Sequence, residues 1–370
     1  MDVVSLAQKL VRFNTVNPPG NEKEIAEYCG SLLKKNGFDV SYYPYEKNRL
    51  NVIAEFGLAN DTHPVVLSGH LDVVPLGQKE WSVDPFGAEI IDGKLYGRGS
   101  CDMKGGVAAI MDAAIRSARR GKVKGGIRLI LSVSEEDGCK GIAHLLNSGV
   151  DLGRARAVIV AEPTNNLPVC AHKGALYMWV KVFGKTAHSS MPEKGINAVY
   201  KAARAVTKIE EYQFDVEKDE VLGKPTLNVG VFKGGLNLNS VPDQAQFSID
   251  IRSTRKINHA QIVKNLQHLL GRDFTIDVLV DRKPVVTDDA HPFVKMTDRI
   301  IGLDRRNGTI PKALPYFTDG SALQEYYNGT PTIILGPGKP QMAHQTDEYC
   351  PIKSIEEAAN IYFGIMNEEI

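Results

Sequence analysis

The sequence predicts an α/β protein with a central, mostly parallel β-sheet and a smaller inserted domain. Two observations predict this fold. Apolar, β-branched runs alternate with helical patterns toward both ends of the chain, and a self-contained β-α-β-β-α-β order occupies its middle. At 370 residues, the chain is long enough for two domains. We place the larger domain at residues 1–174 and 285–370 and the inserted domain at 175–284.

The composition and charge of the chain exclude several classes of protein. Lys plus Arg and Asp plus Glu both number 44, and this balance argues against a general nucleic-acid binder or a polybasic membrane-surface protein. No apolar run reaches the ~18 residues of a membrane span. The spacing of Val3, Leu6 and Leu10 predicts a surface helix and not a signal peptide. Five cysteines without a Cys-x-x-Cys pair favour a reducing compartment and a cytoplasmic location.

Four apolar runs predict the parallel strands of the larger domain. Each run is short, uninterrupted and rich in β-branched residues, as in strands that are buried on both faces. The runs are 65–67, 127–133, 158–160 and 332–335, and helical spacing lies between them at 106–119 and 142–146. Because a site in such a sheet lies beyond the carboxyl ends of the strands, the residues after each run are the first candidates for chemistry.

The inserted domain is predicted from four strands and two helices. In the strand at 244–251, Phe247, Ile249 and Ile251 alternate strictly with other residues, which predicts one buried sheet face and one solvated or partner-facing one. A strand at 273–281 has the same alternation. The remaining elements are strands at 175–183 and 226–232 and helices at 196–212 and 257–270.

A histidine or a carboxylate follows each predicted strand of the larger domain. The first run leads to His70, the second to Glu135 and Glu136, the third to Glu162, and the fourth, after a Gly-Pro-Gly turn, to His344. Each alone has an ordinary explanation as a solvated acidic turn or a polar loop residue. Taken together, two histidines and several carboxylates without cysteine ligands suit a hydrolytic site with two divalent ions that share a bridging carboxylate.

Two aspartates are further candidates for this site. Asp72 lies two residues after His70 on extended chain, so its carboxylate can accept the second imidazole N–H and fix the tautomer of a metal-bound histidine. Asp102 lies in a glycine-rich segment just before a predicted helix, where an N-cap role and a ligand role are both open. The glycine spacing fits neither phosphate-loop pattern, which excludes nucleotide binding.

Four segments of the larger domain carry a combined pattern. They are Ser68-Gly-His70-Leu-Asp72-Val-Val-Pro75, Gly97-Arg-Gly-Ser-Cys-Asp102-Met-Lys-Gly105, Ser134-Glu135-Glu136 and Ala161-Glu162-Pro-Thr164. The chain thereby resembles metallopeptidase family M20, and within it the acetylornithine deacetylase and succinyl-diaminopimelate desuccinylase branch. Matching segments run from Asn17 to Tyr349, so the resemblance spans essentially the whole chain.

The resemblance implies a two-zinc, aminopeptidase-like catalytic domain and an inserted lid domain that pairs in a homodimer. The implied ligand sets share one aspartate: His70, Asp102 and Glu162 for one ion, and Asp102, Glu136 and His344 for the other. By the same resemblance, Asp72 orients His70 and Glu135 is the general base. Sites of this kind also accept cobalt or manganese in place of zinc. A cis peptide bond is expected at Asp102–Met103, because family members often have one there.

Three residues of the inserted domain match positions that act on the substrate. His188 matches the lid histidine that reaches the partner subunit's active site and stabilises the tetrahedral oxyanion. Without the resemblance, a polar turn after a strand would explain it better. Arg252 and Asn239 match positions that grip the substrate carboxylate, for which the planar guanidinium of arginine is suited. Arg252 is otherwise explained as an outward strand residue paired with an acidic neighbour.

The activity that the resemblance implies is hydrolysis of an N-acyl amino acid, with release of a short acyl group, by a metal-dependent, acetylornithine deacetylase-like amidohydrolase. Segments 161–164, 171–174 and 184–198 favour the acetyl group. Ser134 and segment 253–255 depart from many relatives, so a succinyl-diaminopimelate desuccinylase and a dipeptidase or carboxypeptidase of the same family stay open. A non-enzymatic scaffold would require a missing ligand or base, and all the candidates are present.

Overall fold

The chain divides into two compact units. A computed structural model describes residues 2–59, 63–121, 123–308 and 310–368. Unit 1 comprises Met1–Ala171, Val285–Lys312 and Thr318–Ile370, and unit 2 comprises His172–Pro284 and Ala313–Phe317. Unit 2 thus interrupts unit 1 along the chain. It also takes up the short segment Ala313–Phe317, for which the sequence held no signal.

Capping residues define several helix ends. Asp2, Asn197 and Asn258 are N-caps, because each side chain accepts a hydrogen bond from the N–H three residues further on. Gly121 and Gly302, with φ of 76° and 75°, end two helices in the left-handed conformation that glycine allows. Within the described ranges, no helix has both the length and the apolar character needed to cross a bilayer. The α-helices of these ranges are α1 (Val3–Val11), α2 (Lys23–Lys35), α3 (Gly105–Arg120), α4 (Lys140–Asn147), α5 (Ala198–Glu210), α6 (His259–Leu270), α7 (Pro292–Ile301), α8 (Gly320–Tyr326) and α9 (Ile352–Asn367).

The strands in the described part of the chain pair into sheets of six, five, three and two strands. The six-stranded sheet is the scaffold of unit 1, and the five-stranded sheet is the scaffold of unit 2. The strands are β1 (Asp39–Glu46), β2 (Arg49–Phe56), β3 (Val65–His70), β4 (Ile90–Ile91), β5 (Lys94–Tyr96), β6 (Ile127–Ser132), β7 (Ala157–Val160), β8 (Ala171–His172), β9 (Gly174–Phe183), β10 (Thr226–Asn228), β11 (Phe232–Gly234), β12 (Gln244–Ser253), β13 (Phe274–Arg282), β14 (Val285–Val286), β15 (Thr332–Ile334) and β16 (Tyr349–Pro351).

The six-stranded sheet of unit 1 has the order β1-β2-β6-β3-β7-β15. The strands β6, β3, β7 and β15 run parallel to one another, whereas β2 pairs antiparallel with both β1 and β6. The four parallel strands are the four apolar runs of the sequence, so the predicted α/β fold with a mostly parallel sheet is confirmed. Their carboxyl ends lie side by side, with His70 of β3 opposite Ser132 of β6.

A glycine allows α3 to lie against the end of β7. A Cβ atom on Gly106 would lie 2.2 Å from the carbonyl oxygen of Ala161, which is closer than real Cβ contacts come. Further along, the apolar residues of α3 are buried and the helix packs against α9. The amino-terminal end of α3, and the segment that precedes it, are therefore held beside the strand ends.

Unit 2 is an antiparallel sheet with both of its long helices on one face. The strand order is β10-β12-β9-β13, and β11 also pairs with β12. Helices α5 and α6 pack on the face that carries Phe247, Ile249 and Ile251, and these three side chains are buried as the alternation predicts. The element order is the predicted β-α-β-β-α-β when β10 and β11 are counted as the single strand expected there.

Two details of unit 2 differ from the sequence pattern. The predicted strand at 226–232 is split into β10 and β11, because the register against β12 shifts by one residue between Asn228 and Phe232. At this shift the Ser248 hydroxyl accepts the N–H of Val231 at 3.0 Å. In β13 a bulge between Val278 and Val280 interrupts the predicted alternation. Val278, before the bulge, is exposed, and Val280, after it, is buried opposite Tyr177 and lies outside the helix-covered core of the unit.

Candidate metal centre

Six of the predicted side chains meet at the carboxyl ends of the parallel strands in unit 1. Two of them are histidines and four are carboxylates, and they come from widely separated parts of the chain. They are His70 at the end of β3, Glu135 and Glu136 after β6, Glu162 after β7, His344 after β15, and Asp102 from the kinked segment before α3.

The first group of ligand-type atoms belongs to His70, Asp102 and Glu162. The Nε2 atom of His70 lies 3.1 Å from Asp102 Oδ1 and 3.6 Å from Glu162 Oε1. One ligand atom from each residue lies within 4.8 Å of the other two. His70 and Glu162 are buried, so this group is largely closed to bulk water.

The second group belongs to Asp102, Glu136 and His344. The Nε2 atom of His344 lies 3.0 Å from Glu136 Oε2 and 3.4 Å from Asp102 Oδ2. One ligand atom from each of these three residues again lies within 4.8 Å of the other two. Asp102 therefore presents Oδ1 to one group and Oδ2 to the other, which is the arrangement that a bridging carboxylate needs.

Acidic groups are crowded at this site. Burial raises the pKa of Glu135 well above the usual carboxyl range, and it raises the pKa of Glu136 to about 7, with the charge of Asp102 adding to the second rise. Burial would also raise the pKa of Asp102, but hydrogen bonds with His344 and His70 outweigh it and hold that pKa below its usual range. Cations bound at the site would relieve this crowding.

The donor set fits two divalent cations. Each group offers an imidazole nitrogen and carboxylate oxygens, which are common ligands of catalytic zinc and of other first-row metals. Among the described residues, Glu136 Oε1 is buried without a hydrogen-bond partner. Buried carboxylate oxygens normally have a partner, so this atom is consistent with an oxygen that faces a ligand site.

Asp72 is buried beside the cluster and contacts His70 differently from the expectation. The Nδ1 atom of His70 lies 2.9 Å from the main-chain oxygen of Asp72 and 3.6 Å from its carboxylate. The carboxylate instead accepts the main-chain N–H groups of Glu135 at 3.1 Å and of Glu136 at 3.2 Å, and the amide of Asn17 at 3.0 Å. The main chain of Asp72 thus contacts the histidine, while its side chain holds the loop with the two glutamates.

Glu348 and Arg98 hold the main chain around Asp102. Glu348 accepts the N–H groups of Cys101 at 2.8 Å and of Asp102 at 3.0 Å, and it pairs with Arg98 at 2.6 Å. The side chain of Asp102 does not cap α3, which excludes the N-cap alternative. The peptide bond between Asp102 and Met103 is cis, as predicted. Glu348 and Arg98 both lie in segments that carry the resemblance, but the sequence assigned neither of them a role.

Asp319 is a second buried carboxylate that the sequence did not reveal. It immediately precedes α8 and accepts a hydrogen bond from the hydroxyl of Ser132, the last residue of β6. Together with Glu135 and Cys139 it forms a further group whose ligand-type atoms lie within 4.8 Å of one another. Asp319 therefore faces the same strand end as Glu135, although a lone Thr-Asp-Gly sequence is too common to indicate this.

Within unit 2, His188 and Asn239 lie on neighbouring segments. The main chain of His188 bridges to Ser240, and the N–H of Ser189 donates to the carbonyl oxygen of Asn239 at 3.0 Å. Both predicted side chains are exposed. The Nδ1 atom of His188 lies 2.7 Å from the hydroxyl of Ser190, which leaves Nε2 free to face solvent or a ligand.

Arg252 is also in unit 2 and forms an ion pair with Asp250, two residues before it on β12, at 2.9 Å. This is the acidic neighbour that the alternative explanation requires. The guanidinium carbon also lies 5.1 Å from the ring centroid of Tyr177 and 5.5 Å from that of Phe317. The two rings and Asp250 fix the plane of the guanidinium, while about a quarter of the side chain stays exposed (26%).

Comparisons with known sequences give consistent matches. Residues 66–368 match a family model described as Peptidase family M20/M25/M40. A probable succinyl-diaminopimelate desuccinylase of Staphylococcus epidermidis is 32% identical over 381 residues, covering 94% of this chain and 93% of that protein. An acetylornithine deacetylase of Myxococcus xanthus is 30% identical over 347 residues, covering 90% and 88%.

Solved structures show the same fold at lower identity. An M20 family metallo-carboxypeptidase from Sulfolobus solfataricus superposes with a TM-score of 0.81 at 19% identity and covers 99% of each chain. A dinuclear metal-binding M20 peptidase from Bacillus subtilis superposes with a TM-score of 0.69 at 16% identity, covering 98% of this chain and 96% of that one. At these identities the comparison establishes the fold and leaves substrates open.

Proposed function

The chain belongs to peptidase family M20 and is a hydrolase of amide bonds, and from this premise we propose that it removes a short acyl group from an N-acyl amino acid, with acetyl as the first candidate. The observation that carries the proposal is the shared position of Asp102 between two groups of ligand-type atoms beside Glu135. A site of this composition is suited to amide hydrolysis that is assisted by two cations.

The proposed ligands of the two cations follow from the two groups. His70, Asp102 and Glu162 hold one ion, and Asp102, Glu136 and His344 hold the other. Zinc is the first candidate, and cobalt or manganese suit the same donors. When bound, the ions supply Lewis acidity that polarises the amide carbonyl and makes water a better nucleophile near neutral pH.

Glu135 is the proposed general base. It lies beside His70 and Glu136 but belongs to neither of the two ligand groups that share Asp102, so its carboxylate is available for proton transfer. Glu135 accepts a proton from the attacking water and then passes it to the leaving amine. Asp72 supports this role, because its carboxylate holds the main-chain N–H of Glu135 in place.

Unit 2 supplies the groups that recognise the substrate and stabilise the charge that develops on it. The guanidinium of Arg252 binds the substrate carboxylate, with Asn239 as a second polar contact, and His188 of the partner subunit stabilises the oxyanion. Arg252 is already paired with Asp250. A substrate carboxylate must therefore share or displace that contact, which favours substrates that also carry a positive group for Asp250.

A homodimer through unit 2 is part of the proposal. Leu236 and Leu238 are fully exposed. Phe232, on the preceding strand, and Phe183, which lines the same surface cavity as Leu236, are also exposed. Strand β11 lies at an edge of the sheet and is exposed along its length. Exposed apolar side chains beside an open strand edge are features of surfaces that pair with another chain. We also propose a cytoplasmic location, because the five cysteines are an odd number and include no Cys-x-x-Cys pair.

A second candidate function is desuccinylation, which the 32% identical relative from Staphylococcus epidermidis favours by its name. A dipeptidase or carboxypeptidase activity would use the same scissile amide chemistry. The three activities differ in the group on the acyl side of the amide, so a substrate panel distinguishes them.

The test is an amine-release assay on metal-free protein that has been reloaded with Zn²⁺, Co²⁺ or Mn²⁺. The panel contains N-acetyl, N-formyl and N-succinyl amino acids, including ornithine and diaminopimelate derivatives, together with free dipeptides. We expect about two ions per chain, chelator-sensitive activity and the highest kcat/KM on an N-acetyl amino acid. Glu135→Gln protein purified in parallel reports any contaminating hydrolase.

The outcomes separate the candidates. A preference for N-succinyl substrates establishes the desuccinylase, and a preference for dipeptides establishes the peptidase. A protein that binds no divalent ion and releases no amine from any member of the panel overturns the proposed function.

A further inference from the structure

We propose that Glu348, together with Arg98, is a positioning residue that fixes Asp102 and His344 relative to each other. This inference rests on the proposed function for the role of those two ligands. Neither Glu348 nor Arg98 belongs to a group of ligand-type atoms in the described chain. Their action is on the main chain that carries the ligands.

Glu348 uses its whole carboxylate on the segment before α3. Its Oε1 accepts the N–H groups of Cys101 at 2.8 Å and of Asp102 at 3.0 Å. Its Oε2 accepts the N–H of Gly99 at 3.1 Å and an Nη1 hydrogen of Arg98 at 2.6 Å. Four donors thus converge on a side chain that is completely buried, and three of them are main-chain groups of the segment that ends at Asp102.

Arg98 completes the connection on the side of His344. Its Nη1 also donates to the carbonyl oxygen of Gln345, the residue after His344, at 3.1 Å. Its Nη2 donates to the carbonyl oxygen of Pro75 at 3.1 Å, and its guanidinium carbon lies 5.1 Å from the ring centroid of Trp81. Arg98 is itself buried, so its charge is balanced locally by Glu348.

The segments that carry Asp102 and His344 are connected through one short pair of antiparallel strands. Strand β5 ends one residue before Gly97 and pairs antiparallel with β16, which begins immediately after Glu348. The main-chain oxygen of Glu348 extends this ladder by accepting the N–H of Gly97 at 2.9 Å. Beyond this strand pair, the Glu348 side chain accepts the N–H groups of Gly99, Cys101 and Asp102 and so holds the segment that leads to Asp102.

His344 needs such a restraint. Its φ of 64° lies in the left-handed region, and Asp347 in the same segment has a φ of 57°. Residues other than glycine persist in this conformation when surrounding contacts impose it. The contacts that Arg98 makes with the carbonyl oxygen of Gln345 and the carboxylate of Glu348 are of that kind.

A purely structural explanation is that Glu348 and Arg98 are a buried ion pair that stabilises unit 1. The chain contains a matched pair for comparison. Asp298 accepts two hydrogen bonds from Arg305, at 2.6 and 3.0 Å, in the same unit, and it belongs to none of the groups of ligand-type atoms in the described ranges. A structural role predicts similar effects from both pairs, whereas a positioning role predicts an effect on cation binding from Glu348 alone.

The experiment is a titration of metal-free protein with Co²⁺. Calorimetry measures the affinity, and the visible absorption of the bound ion reports its coordination. Glu348→Gln keeps the size of the side chain but removes its charge and turns an amide donor toward the N–H groups. We expect Glu348→Gln to bind at least one of two Co²⁺ ions about 10- to 100-fold more weakly, with an altered absorption band. We expect Asp298→Asn to bind both ions as the parent does.

Glu348→Asp keeps the charge and shortens the reach, and it provides the test if Glu348→Gln fails to fold. We expect an intermediate loss of Co²⁺ affinity from this variant. Parental affinity and absorption in the folded Glu348 variant overturn the inference, and so does an equal loss in Asp298→Asn. A parent protein that binds no Co²⁺ overturns the proposed function as well, whereas a parent that binds two ions with unchanged Glu348 variants overturns this inference alone.

Discussion

The carboxylate of Asp72 accepts the main-chain N–H of Glu135 at 3.1 Å, so an acid from the end of β3 holds the proposed base at the end of β6. The contact of Asp72 with His70 uses the main-chain oxygen, which no side-chain substitution removes. The two functions of this residue are therefore separable by mutation.

Asp72→Ala is expected to lower kcat about 10- to 100-fold with little change in KM, because Glu135 loses its anchor while His70 keeps its closer partner. Steady-state kinetics and ion content measured on the same preparation check this. Asp72→Asn is the milder control, since it keeps one acceptor oxygen. An unchanged kcat in Asp72→Ala would contradict the proposed anchoring of the base.

Glu135→Gln is expected to lower kcat by about 10²- to 10⁴-fold, the usual contribution of a general base, and to keep the parental ion content. The reason is that Glu135 lies beside the two ligand groups that share Asp102 without belonging to either. Elemental analysis and single-turnover kinetics measure the two properties separately. Near-parental turnover would show that another group accepts the proton.

His188→Ala is expected to keep the fold, because the side chain is exposed and hydrogen-bonds with its near neighbour Ser190, yet to lose much of kcat. If the residue acts across a dimer, co-refolding or co-expression with Glu135→Gln restores up to one intact site per mixed dimer. Sedimentation confirms the oligomeric state of each sample. Mixtures that regain no activity above either variant alone would refute the shared site.

His172 is expected to make unit 2 sensitive to acid. Burial lowers the pKa of this imidazole from 6.5 to about 4, and its Nδ1 lies 2.8 Å from the carbonyl oxygen of Lys173. Between these two values the unfolded chain binds a proton that the folded chain does not, so the stabilising contribution is complete above pH 6.5 and is lost as the pH falls toward 4. The loss at pH 5 amounts to about 2 kcal/mol relative to pH 7.

The measurement for His172 is the NMR titration of its imidazole, combined with urea unfolding at pH 7 and pH 5. His172→Gln removes the titrating group and is expected to lose about 2 kcal/mol less than the parent over this range. An imidazole that titrates near pH 6.5 in the folded protein would refute the expectation.

The sequence was sufficient for those parts of the fold that follow from periodicity. Continuous apolar runs identified β3, β6, β7 and β15, and strict alternation identified β12, because both patterns reflect which faces of a strand are buried. The split of β10 from β11 could not be predicted from the sequence, since it depends on a shift in how these strands pair with β12. The bulge after Val278 likewise depends on pairing with β9.

The residues of the candidate site also divide into those that the sequence pattern indicated and those that it did not. Histidines and carboxylates after strand ends are visible in a sequence, because the topology of a parallel sheet brings those ends together. Glu348 was not visible, because three of its four donors are main-chain N–H groups that every residue possesses. The ion pair between Arg252 and Asp250 was foreseen only as an alternative, since residues two apart on a strand share a face whether or not they bind.

The position of His344 after unit 2 in the order of the chain has a consequence for biosynthesis. When translation has passed β7, the nascent chain still lacks His344, whose imidazole completes the group with Asp102 and Glu136. Unit 2 is translated before that histidine. A nascent or prematurely terminated chain can therefore offer at most one of the two coordination sets. If the chain binds the proposed pair of ions, the second ion can be held by its full ligand set only after the segment with His344 has been synthesised, which couples assembly of the metal centre to synthesis of that segment.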